Sequence, residues 1–412
     1  MKIIYQALFS LVIATLLASC AHDEIGQSID TTQNAITVQN NVESNYLSFL
    51  QQLDKEESAP VSNLELRSQN NGRDHRAYLL SNEASDNKLI VFTQNEDGTL
   101  TESDRISTGG TGTDAGLGNQ GAIALDEWGK LLVAVNPGSN DISLFVLKNS
   151  GDIILKDKIN SGGLMPISVT ISHGLIYVLN AGGTGNISGF AVDLNGMLIP
   201  ISYSTRALST DASGPAQISF SPNGKVLVVT EKATNTISSF YVGYDSRPGR
   251  IKTLPSAGVT PFGFSFGNEN IFYVSEASGG NAGASTVSSY AVDLSGYVRL
   301  LDGPFATNGS AACWVVVSNN GKTIFTTNTG GNDVSSLSSS SRGNLSFANG
   351  GNTTPAMSTP IDASVDRNSK YLYVLVTGTD EVLSYKIGSD GQLTQIDADG
   401  GLPNRATGLV VR

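Results

Sequence analysis

The chain has 412 residues, 45 of them glycine, with 15% charged residues and a formal net charge of −12. An acidic chain lacks the basic face that a nucleic-acid partner requires, so nucleic acid is excluded as the expected partner. Its length exceeds one ordinary domain unless the sequence repeats, and the glycine content suits many short strands joined by tight turns.

The chain begins with a targeting pattern. Lys2 supplies a short basic start, and Ile3 to Leu17 is almost wholly apolar but too short to span a bilayer. It ends in Leu17-Ala18-Ser19-Cys20, which resembles a bacterial lipobox. That resemblance implies a signal peptide over 1–19, cleavage before Cys20 and lipid on its sulfur. The protein would then be membrane-anchored in the cell envelope, outside the cytoplasm, on the outer membrane if the cell is Gram-negative. An ordinary signal peptide followed by a chance cysteine is the alternative. Lipid on Cys20 leaves Cys313, in the strand-like run "AACWVVVS", without a disulfide partner and as a buried thiol.

Residues 20–60 read as a polar tether. Within it, Val42, Tyr46, Phe49, Leu50 and Leu53 fall at helical spacing and predict a short helix that either packs on the body or spaces it from the membrane. The globular part is expected over 61–412.

From Ala77 onward the chain repeats. An apolar run, a break rich in Gly, Asn and Ser, and a second run ending mostly in Phe or Tyr recur seven times, as in "NPGSNDISLF", "NAGGTGNISGF" and "EKATNTISSF". Turns such as "EDGTL", "NSGDI" and "SDGQL" have hairpin chemistry and lack the ligand count of a calcium loop. A third run opens most units with proline: "PISVTI", "PAQISF", "PFGFSF", "PIDASV". Its third and fifth residues after the proline are mostly apolar, and its second and fourth are small or polar, the period of a strand with one wet face. Four strands in each of seven units predict an all-β, seven-bladed β-propeller of antiparallel blades, with the proline-led run innermost. The chain ends in "LPNRATGLVVR", an inner strand with nothing after it, so residues 403–411 are expected to complete the first blade and close the ring. "NLELRS" at 63–68 competes for that place.

These repeats resemble the lactonase-type seven-bladed propellers, the group of bacterial 6-phosphogluconolactonases and fungal carboxymuconate-lactonising enzymes. The resemblance runs over about 76–412, and its best stretch is "SGPAQISFSPNGKVLVVTEKATNTISSFYV". It implies an Arg-His pair after the Gly-Pro of one blade, where this chain has Ala216-Gln217, and a Pro-His-rich inner strand where it has "GNQGAIAL". Only Glu231 keeps a family-like acidic position. The three histidines, His22, His75 and His173, fall off the expected channel positions. Lactone hydrolysis needs an activated water and a group to receive the developing oxyanion, and the obvious candidates are missing. No H-E-x-x-H, G-x-S-x-G or P-loop occurs, and "GGTGTDAGLGNQG" reads as a loop between blades. No cofactor and no metal are expected.

The second residue after the proline, or its equivalent, should face the axis. In blade order these positions are Arg405, Ala122, Ser168, Gln217, Gly263, Trp314 and Asp362. Trp314, Asp362 and Arg405 form a candidate ligand-binding trio, with Gln217 beside them and Glu231 and Glu276 as acceptors at one mouth. The trio suits a sugar-like or carboxylate ligand. It equally allows Asp362 and Arg405 to pair and seal the ring while Trp314 fills the channel. Three functions remain open. The favoured one is a binding propeller for a small polar ligand or a protein partner. The others are a lactonase with a non-standard site and a structural module of a larger surface complex.

Overall fold

The computed structural model describes residues 41–57 and 75–412. Cys20, the signal peptide and the 63–68 run lie outside the described residues.

Seven antiparallel sheets form the ring. Blade 1 joins Arg76–Leu80, Lys88–Gln94 and Leu100–Ser107 to the C-terminal strand Thr407–Val411, which is its inner strand. Tyr78 faces Val410 and Ala77 faces Val411 across that junction, so the two ends of the chain close the ring as the sequence predicts. The inner strands of blades 2 to 7 are Ile123–Leu125, Pro166–Ser172, Pro215–Phe220, Pro261–Phe266, Ala312–Val317 and Pro360–Val365. The second strands read as continuous apolar runs because they lie between neighbouring blades. Leu131–Asn136 and Val226–Glu231 are buried at every position. The outer strands alternate or turn polar because one face meets solvent, as in Leu100–Ser107.

Residues 41–57 form a helix that packs on the body. Tyr46, Phe49, Leu50 and Leu53 are buried in the core cluster shared with blades 1, 2 and 3. The seats are two turn glycines of blade 3. Gly174 has φ +76° and a Cβ there would lie 2.5 Å from Tyr46 Cβ; Gly196 has φ +74° and a Cβ would lie 2.2 Å from Phe49 Cζ. Both positions therefore need glycine for conformation and for clearance. Polar contacts complete the clamp. Tyr46 Oη donates to Asp126 Oδ2 at 2.7 Å, Lys130 pairs with Asp54, and the Asn149 N–H donates to Glu57 at 2.7 Å. Asp126, Lys130 and Gly174 belong to the turns that follow the inner strands, so the helix lies on the face where those strands end.

Candidate functional site: an axial funnel

The inner strands start on one face and end on the other, and the axial space differs between the two halves. On the side where the strands end, a funnel of about 510 Å³ opens to solvent. Its wall carries the fourth residue of six of the seven inner-strand patterns: Ala124, Thr170, Ser219, Val316, Ser364 and Val410. Glu127, Ser172 and His173 stand at its mouth. His173 thus lies in the predicted turn but on the funnel rim, closer to the axis than the sequence reading placed it.

The other half of the channel is plugged. Gln120 reaches across the axis from the entry to blade 2 to blade 6. Its Nε2 donates to Val315 O at 2.8 Å, and the Val315 N–H donates to its Oε1 at 3.1 Å. Trp314 packs on Phe262 with ring centroids 4.9 Å apart, and Ala216 completes this apolar cluster. Lys232 Nζ sits 4.8 Å above the Phe262 ring and donates to the carbonyls of Gly118 and Pro215, at 3.0 Å for Pro215. Burial lowers the Lys232 ammonium to about 8 and raises the Cys313 thiol to about 11, so Cys313 stays a protonated thiol, though it is half-buried where the sequence predicts full burial.

Asp362 forms the inner end of the funnel. It is 2% exposed, yet its Oδ2 has no hydrogen-bond partner, and it makes no ion pair among the described residues. The Ala363 N–H donates to Oδ1 at 3.1 Å. Burial pushes the carboxyl up to about 8 against the lowering pull of the Ala363 and Gly408 amides. Gln217 also lines the funnel, and its Oε1 accepts the Phe264 N–H at 2.6 Å, tying blade 4 to blade 5.

The expected trio is not brought together. Trp314 is sealed in the plug, 7% exposed, with its Nε1 unpartnered. Arg405 is exposed, has φ +72°, and lies on the opposite face, where its carbonyl accepts from Asn82. Counting from Pro403 misplaced it. Val410 faces Tyr78 as Ser364 faces Tyr373, which makes Gly408 the equivalent of Asp362 and Ala406 the equivalent of the leading proline. Arg405 therefore corresponds to Thr359, Met165 and Thr260, which precede the inner strands and share its left-handed backbone. Nor do Glu231 and Glu276 reach a mouth. Both are fully buried at the ends of second strands, where they pin their own blades. Glu231 accepts from Ser209 N at 3.2 Å and Ser238 Oγ at 2.6 Å; Glu276 accepts from Gly258 N at 2.9 Å and Ser288 Oγ at 3.0 Å. Asn136 and Asn328 do the same work in blades 2 and 6, each donating to the serine seven residues on. Gln120 was missed. Its signal was the place it holds, two residues before Ala122, where most other inner strands have proline.

A ring of seven four-stranded antiparallel blades closed by the C-terminal strand is the architecture of a seven-bladed β-propeller. The family profile described as "Lactonase, 7-bladed beta-propeller" matches residues 68–200 and 267–404, and the chain belongs to that family. The interval between the matches holds blade 4, with Ala216, Gln217 and Glu231. The chain is similar in structure to a candidate 6-phosphogluconolactonase from Bacteroides fragilis, with 17% identity, 83% of this chain and 99% of that one covered, and a TM-score of 0.67. It is similar to another candidate of the same name from Bacteroides uniformis at 18% identity, covering 81% and 99%, with a TM-score of 0.65. A periplasmic gluconolactonase from Pseudomonas aeruginosa follows at 14% identity, covering 81% and 98%, with a TM-score of 0.64. At these identities the likeness is one of fold. A search of curated proteins gives no match.

Proposed function

We propose that this protein is a lipid-anchored propeller of the cell envelope that binds a small polar ligand in its axial funnel. The observation that carries the reading is Asp362, a buried carboxyl on the lining of an open, hydroxyl-bearing cavity, whose Oδ2 has no hydrogen-bond partner. Buried polar atoms are almost always paired, and an unpaired one beside a cavity calls for a partner from outside. Hydrolysis is not favoured. The region where the family resemblance implies an Arg-His pair is filled by Ala216, Phe262 and Trp314, and Glu231 is saturated by its own blade. The funnel wall holds no lysine or arginine to receive a phosphate or an oxyanion.

The anchor reading rests on Leu17-Ala18-Ser19-Cys20 and is supported by the helix at 41–57. The chain joins the body on the funnel side, where Val42 and Glu43 border a cleft with Ser172 and His173.

Two experiments test this. The mature protein should give a mass for lipidated Cys20 and partition with membranes, while Cys20→Ser should accumulate as precursor; an unmodified thiol at Cys20 refutes the anchor. Thermal shift against a panel of small polar molecules should give ligands whose effect Ser219→Leu, which narrows the funnel, removes. Turnover of 6-phosphogluconolactone at an ordinary rate, about 1–1000 per second, would instead establish an enzyme.

A further inference from the structure

Resting on the reading of the funnel as a ligand site, the geometry points to the charge class of that ligand. We propose that the funnel takes a small organic cation carrying an ammonium group, with the ammonium seated on Asp362.

Three observations converge. The only fully buried charge-bearing group on the funnel wall is Asp362, and its free Oδ2 is an acceptor site without a donor. The titratable groups at the mouth are Glu127 and His173; no lysine or arginine lines the cavity, Lys232 is spent on two carbonyls and the Phe262 face behind the plug, and Arg367 and Arg412 line a neighbouring cleft with Glu127. The walls above Asp362 carry Thr170, Ser219 and Ser364, whose oxygens can receive the remaining N–H groups, while Val316, Val410 and Ala124 offer an apolar side for a carbon frame. An anion would meet Glu127 at the mouth and find no lysine or arginine on the funnel wall. A neutral polyol can pair with the protonated carboxyl and the wall hydroxyls, but it brings no charge to match an ionised Asp362. An ammonium supplies both the missing donor and the missing charge.

The proton balance follows. Burial favours the neutral form of the carboxyl before a ligand binds. Binding an already protonated amine therefore expels the Asp362 proton to solvent, leaving a carboxylate–ammonium pair, and close to one proton is released per ligand bound.

The test uses the full mature protein in detergent and matched probes at pH 7: glucosamine against glucose, and ethanolamine against ethylene glycol, with glucuronate as the anion. At least one amine should bind ten-fold or more tightly than its alcohol partner, glucuronate should not bind, and Asp362→Asn should erase the amine preference. Calorimetry in buffers of different ionisation enthalpy should show release of close to one proton, lost in Asp362→Asn. Equal binding of amine and alcohol, or a preference for the alcohol or the anion, overturns the cation assignment and leaves the funnel as a site for that class. Amine binding that survives Ser219→Leu and Asp362→Asn unchanged places the cation elsewhere and also overturns it. If none of the five probes binds and the wider panel gives no Ser219-dependent ligand either, the cation assignment and the funnel reading both fall.

Discussion

Gln120 holds the backbone of Val315 across the propeller axis, donating to its carbonyl at 2.8 Å and accepting from its amide at 3.1 Å. One side chain thus links blade 2 to blade 6 and divides the channel into a plug and a funnel. Gln120→Ala would leave a buried N–H and a buried C=O unpaired. It should cost about 2–4 kcal/mol of stability, read as a lower denaturation midpoint in urea. A loss under about 0.5 kcal/mol would show that water replaces the amide without penalty.

Asp362 should make stability depend on pH. Its carboxyl titrates near 8 in the folded chain and near 4 when unfolded. Between those values the folded state holds a proton that the unfolded state has released, so stability falls as pH rises through that window, by about 1.4 kcal/mol per pH unit. Asp362→Asn removes the titration. Its melting temperature should match the parent near pH 4 and exceed it increasingly toward pH 8. A gap that stays constant with pH would show that the carboxyl ionises freely.

Glu276 is a structural pin, and Glu276→Ala should behave as one. The change strands the Gly258 N–H and four hydroxyl groups around it. A loss of about 2–3 kcal/mol is expected, with no change in affinity for a funnel ligand in the protein that still folds. Weakened binding without destabilisation would return Glu276 to the site.

Tyr46 tests the clamp. Tyr46→Ala removes a buried ring and its bond to Asp126. A buried aromatic truncation costs about 3–5 kcal/mol, but here the loss should fall on docking of the 41–57 helix. Hydrogen exchange should speed up in that helix by a hundred-fold or more while the blade strands keep their protection. Equal loss of protection throughout would show that the helix and ring unfold together.

The architecture was legible because it is set by local chemistry repeated many times. Period-two alternation, proline at the inner-strand start and Gly-Asn-Ser turns recur in each unit, and an unpaired strand at each end of the chain has one low-energy solution, pairing with the other. The helix was legible for the same reason: Val42, Tyr46, Phe49, Leu50 and Leu53 share one face, and a free apolar stripe must be covered. The site was legible only in part. Alternation correctly gave Asp362 and Gln217 their inward direction, but the count from Pro403 slipped by three, because only pairing with Tyr78 fixes which residue of the closing strand is level with Asp362. Glu231 and Glu276 have the composition of mouth residues, and their partners come from the next strand of the blade and from the loop that leads into it. Whether Trp314 lines a cavity or fills one depended on Phe262 from blade 5 and Gln120 from blade 2. Sequence determined the strands, the ring and its closure through contacts between near neighbours; the division of the channel into plug and funnel was decided by side chains that meet only once seven blades stand around one axis.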